Sequence, residues 1–190
     1  DRALNAITGL GDAAQFSNQQ RAESLSQLLS IELPLVRALV AAEAGERLTE
    51  LGDLDSRFGA PHEWDRLWVI LQGAPPLAGA LTEDTLAAIR SGATAAASGD
   101  VEAARDAHDL VRVAIVRAAL EAIGDRETAA ADAYFRGVVP LLMTLDPSAT
   151  QQLSTHLEEG NADHLVSIQT LVTQLADDLG VVVSFVLADS

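Results

Sequence analysis

The feature that most constrains this chain is a run of apolar residues spaced by threes and fours. Val101, Ala104, His108, Val111, Ile115, Ala118 and Ala122 recur at that interval, which is the period of one face of an α-helix. Leu165, Ile168, Val172, Leu175, Leu179 and Val182 repeat it near the end. Such a face must be buried against another helix. The spacing therefore predicts an all-α fold: an antiparallel, four-helix-bundle-like arrangement or two stacked bundles. Composition agrees. Hydrophobic residues make up 48% of the 190 and aromatics only 4%. The apolar mass is mainly Ala and Leu, both strong helix formers, with Val next.

Turn and cap residues divide the chain. Helices are expected over about 1–33, 35–58, 62–72, 83–90, 100–124, 126–145, 147–159 and 165 onward. Pro34 lacks an N–H and predicts a kink or break. In the second helix Val40, Ala44, Leu51, Leu54 and Phe58 share a face. Trp64, Leu67, Trp68 and Leu71 form a stripe on the third, read as core or as a lid. Thr82 and Asp146 are placed as N-caps, with Pro147 at the first helical position. The small-residue stretch 91–99 is a link or a continuation of the preceding helix. The chain is read as one domain, 1–190, with sub-bundles 1–90 and 100–190 on either side of that stretch. The Val181–Leu187 tail is expected to continue the last helix.

Several function classes are excluded or weakened. The formal net charge is −16, from 12 basic and 28 acidic residues. Nucleic acid and anionic membranes both call for a basic face. With no cysteine there is no disulfide framework, thiolate metal site or cysteine nucleophile. No phosphate-binding glycine loop, Ser-His-Asp order or nucleophile elbow occurs. The chain reads as a non-enzymatic binding module without a cofactor.

Two sets of residues are candidate sites. On the first helix Ile7, Leu10, Ala14, Ser17, Arg21, Ser24 and Leu28 follow a seam whose middle is polar. A guanidinium on a seam needs a carboxylate or a ligand beside it, so Ser17, Arg21 and Ser24 are the expected ligand-binding residues; a small rotation of the helix would instead turn Arg21 to solvent. His156 and Glu159, one helical turn apart, are the alternative metal pair. The residues three before His108, His156 and His164 are Arg105, Leu153 and Asn161, so the Glu-x-x-His spacing of di-iron bundles is missing. A histidine on a seam, such as His108, is more simply a hydrogen-bonded core residue.

Leu4-Asn5-Ala6 leading to Ser17-Asn18-Gln19-Gln20-Arg21-Ala22, then Phe58-Gly59-Ala60-Pro61, Asp65-Arg66-Leu67-Trp68 and Gly73-Ala74-Pro75, resemble part of the nitrate- and nitrite-sensing (NIT) domain. The resemblance covers fewer than half of the residues. It implies a pair of helical bundles in a bacterial receptor, an anion held by arginines between helices, and Arg21 as one of them. The expected function is thus the sensory domain of a transmembrane receptor, extracytoplasmic and tethered to membrane helices. It would be a homodimer that signals by helix rearrangement when a small-molecule ligand such as nitrate binds. The alternatives are an extracytoplasmic metal- or solute-binding helical protein and a purely structural interaction domain.

Overall fold

The computed structural model describes residues 17–125, 128–159 and 165–183. Among these there is no strand, and the chain is an all-α bundle. The helices are α1 (Asn18–Gln27), α2 (Leu33–Glu50), α3 (Ala60–Gly73), α4 (Glu83–Ser98), α5 (Val101–Asp125), α6 (Thr128–Leu145), α7 (Pro147–Glu159) and α8 (Leu165–Asp178). A π-turn, Leu28–Glu32, joins α1 to α2, and a 3₁₀ segment, Pro75–Ala80, follows α3.

Two closed rings of four helices share one member. α2, α3, α4 and α5 pack each on the next, and α5 returns to α2. In the same way α5, α6, α7 and α8 close a second ring. Short connections make sequential neighbours antiparallel. Between α4 and α5 the turn is only Gly99-Asp100: Gly99 sits in the left-handed region at φ +73°, and Asp100 Oδ1 accepts from the N–H of Ala103. α5 is common to both rings, which explains its clean seam: Ala104, Val111, Ile115 and Ala118 are all buried. One continuous core runs from Ile31 to Ala176.

The expected caps are in place. Thr82 Oγ1 accepts from the N–H of Thr85. Asp146 Oδ1 accepts from those of Ser148 and Ala149, with Pro147 opening α7. Residues 91–98 continue α4, with Gly92, Ala95 and Ala96 buried.

Three local expectations are corrected. At Pro34 the helix neither stops nor breaks. The π-turn places the N–H of Leu33 on the carbonyl of Leu28, and Asn18 to Glu50 runs as one 33-residue helix. The wider turn re-routes the hydrogen bonds next to a residue that cannot donate one. The second helix ends at Glu50 rather than Phe58. Gly52 adopts φ +73°, and Asp55 Oδ1 then accepts from the N–H groups of Arg57 and Phe58. Its buried face is Leu35, Ala38, Ala41, Ala42, Gly45 and Thr49; Val40, Leu51 and Phe58 are exposed. Small residues there let α2 lie close to its neighbours. Finally α8 stops at Asp178, with Gly180 at φ +71°, and Val181–Val183 are not helical. The rest of the tail, and the seam residues Ile7, Leu10 and Ala14, lie outside the described residues.

Trp64 is fully buried and is core. It lies between α2 and α4, against Gly45 and Gly92.

Candidate functional site

A groove of about 360 Å³ opens where α2, α5 and α6 meet, at the junction of the two rings. Val36, Leu39 and Val40 of α2 and Gly137, Pro140 and Leu141 of α6 form its apolar walls. Glu43 and Glu46 of α2 and His108 and Arg112 of α5 supply its polar side. Helical periodicity places them. Val36, Val40 and Glu43 follow one another at four and three residues. His108 and Arg112, four apart, are stacked on one side of α5.

Part of that polar side is already neutralised. Glu46 Oε2 is 2.9 Å from His108 Nδ1, and its Oε1 is 3.2 Å from Arg105 Nε. His108 is nearly buried, so this bond satisfies a ring nitrogen that water scarcely reaches. Asp109 is 3.5 Å from the same nitrogen but mostly exposed. Arg112 is half-buried and forms no ion pair among the described residues. Glu43 is exposed and also unpaired among them. The groove thus combines apolar walls with a guanidinium and a carboxylate that have no ion pair among the described residues.

α6 is shaped to admit this opening. Pro140 stands inside the helix without an N–H, so the carbonyl of Arg136 has no donor one turn on. Gly137 brings α6 against α2, since a Cβ there would stand 3.0 Å from Leu35. Arg136 pairs with Glu32 of the π-turn at 2.9 Å and with Asp132 on its own helix.

The residues singled out in the sequence lie elsewhere. Ser17 caps α1: its hydroxyl accepts from the N–H of Gln20, and the Gln20 side chain accepts in return from the N–H of Ser17. Arg21 and Ser24 are half-buried on α1, and Arg21 is engaged in an interaction. None of the three lines the groove. His156 Nδ1 and Glu159 Oε2 are 4.0 Å apart on α7, and no cluster of three metal-ligating side chains occurs among the described residues. His62 is exposed. Seam position did mark His108, as a hydrogen-bonded core histidine. Nothing in the sequence joined it to Glu46, because that pairing comes from how α5 lies on α2.

Fold and groove together define a helical bundle with a small-molecule-sized opening between helices. No protein-family model matches the chain, and neither the curated proteins nor the solved structures include a match.

Proposed function

We propose that this protein is a ligand-binding sensory module of a bacterial membrane receptor, extracytoplasmic, which takes a small anion with an apolar body into the α2–α5–α6 groove. The observation that carries the reading is Arg112. It is a half-buried guanidinium with no ion pair among the described residues, in a chain with 28 acidic side chains. Its planar fork matches a carboxylate or nitrate. The walls of Val36, Leu39, Val40 and Leu141 favour a ligand with hydrocarbon beyond its anionic end, and a volume of about 360 Å³ holds more than a nitrate. An aliphatic carboxylate fits both features. A free amino acid adds an ammonium for Glu43.

The receptor assignment rests on the NIT-like residues and on the single helix from Asn18 to Glu50, which leaves the bundle through a π-turn. Such turns hold one extra residue and concentrate at functional sites. The Glu32–Arg136 pair ties this turn to α6, one wall of the groove. A ligand that alters the α2–α6 spacing shifts which packing of this junction is favoured, and α1 carries the shift outward.

Thermal-shift measurements test this with nitrate, an aliphatic carboxylate, leucine and zinc. A ligand of the folded state at a hundredfold excess over Kd raises Tm by roughly 5–10 °C for a chain of this size. The carboxylate or leucine is expected to do so, and Arg112→Ala to abolish it. No shift with any anion sinks the reading. A shift lost in Arg21→Ala but kept in Arg112→Ala moves the site to α1.

A further inference from the structure

With the groove as the ligand site, the reading on which this rests, we infer that its ligand is an α-amino acid with an aliphatic side chain, and that Glu43 is the residue that selects it over a plain carboxylate. The register of α2 on α5 carries the inference. Helices α2, α3, α4 and α5 alternate in direction around their ring, so α2 and α5 run antiparallel. Two contacts agree. Glu46, near the end of α2, meets His108, near the start of α5, at 2.9 Å. Leu54, just past α2, lies against Gly99, just before α5. One turn back along α2 from Glu46 is Glu43, and one turn on along α5 from His108 is Arg112. In an antiparallel pair these two steps lead the same way, each roughly 5 Å long. Glu43 and Arg112 therefore stand at one level, each lining the groove from its own helix.

The two levels differ in one respect. Glu46 is closed on His108 and Arg105. Glu43 and Arg112, opposite in charge, do not close on each other, and neither has another ion pair among the described residues. A ligand that bridges them must carry a cation beside an anion. An α-amino acid holds both on one carbon: its carboxylate accepts from the guanidinium fork of Arg112, and its ammonium donates to Glu43. The side chain on that carbon then lies toward the apolar end. Helix α6 runs parallel to α2, since Glu32 meets Arg136 and Leu35, further along, meets Gly137. Beyond Glu43 and Arg112 the groove is lined by Leu39, Val40, Pro140 and Leu141, and further on by Val36 and Gly137. None of these offers a charge, so an ionised side chain would be desolvated there without a partner. A hydrocarbon one gains by burial.

The test is isothermal titration calorimetry on the full 190-residue chain. The probes are L-leucine, isocaproate (the same skeleton without the ammonium), isoamylamine (the same skeleton without the carboxylate) and L-aspartate. Leucine is expected to bind at least about tenfold more tightly than isocaproate or isoamylamine, and more tightly than aspartate. Glu43→Gln should abolish the preference for leucine over isocaproate. Glu43 is exposed and has no ion pair among the described residues, so the variant keeps its fold, which circular dichroism checks. Arg112→Ala should weaken leucine and isocaproate alike. Equal binding of leucine and isocaproate overturns the amino-acid assignment and leaves the groove as a carboxylate site. So does a preference for leucine that survives in Glu43→Gln. Aspartate binding as tightly as leucine overturns the aliphatic side chain. If no probe binds, the groove is not the ligand site and both readings fall.

Discussion

The six-membered ring of Trp64 occupies the space where a side chain on Gly92 would begin. A Cβ built on Gly92 stands 2.5 Å from Cη2 and Cζ2, and one built on Gly45 stands 2.7 Å from Nε1. Two helices approach the indole, each through a residue with no side chain. The ring is fully buried, and its Nε1 has no hydrogen-bond partner among the described residues. Leaving a buried N–H unpaired costs about 1–3 kcal/mol. Close packing of the largest side chain in the core offsets that cost.

Gly92→Ala should therefore destabilise the protein, although alanine is the better helix former by about 1 kcal/mol. Overpacking against a rigid ring costs about 1–3 kcal/mol, so a net loss near 1 kcal/mol or more is expected in urea unfolding. Trp64→Phe shortens the ring and removes the unpaired N–H. In that background Gly92→Ala should cost clearly less, a coupling that a double-mutant cycle reads directly. Strictly additive effects would mean that the indole is not what Gly92 accommodates.

The Glu46 cluster separates a surface ion pair from a buried hydrogen bond. Arg105 is mostly exposed where it meets Glu46, and such pairs contribute about 0–1 kcal/mol. Arg105→Ala should thus leave stability almost unchanged. Glu46→Ala takes the partner from a nearly buried His108 and should cost about 1–3 kcal/mol. Equal effects of the two substitutions in urea unfolding would contradict this division.

What the sequence made legible follows the strength of its periodicity. α5 could be read because it is buried in two rings, so large apolar residues recur along it. α2 differs from its sequence reading for the opposite reason. Its buried face is built from Ala38, Ala41, Ala42 and Gly45, while Val40 and Phe58 drew the eye to surfaces that are exposed. Gly45 and Gly92 have no side chain to enter a periodic pattern, yet they are where two helices meet a tryptophan. The groove was invisible for a third reason. Glu43 and Glu46 lie more than sixty positions before His108 and Arg112, and no local pattern signals that α2 and α5 cross there.

Pro140 permits a prediction that joins stability to the groove. Inside α6 its ring crowds the preceding turn, and it deprives the carbonyl of Arg136 of a donor. Pro140→Ala restores that hydrogen bond and removes the crowding, a gain of up to about 3 kcal/mol. The unfolded chain becomes freer, which takes back up to about 1 kcal/mol. A net stabilisation of about 1–2 kcal/mol is expected, seen as a higher urea midpoint with the same slope. Pro140 is also a wall of the groove beside Gly137 and Leu141. Replacing the ring alters that wall, so the more stable variant should bind the aliphatic carboxylate more weakly in the thermal-shift assay. A variant that is less stable would show that Pro140 is required by the packing of α6 on α2 and the π-turn, where Leu35 meets Gly137 and Glu32 meets Arg136. A variant with raised stability and unchanged affinity would detach Pro140 from the ligand site.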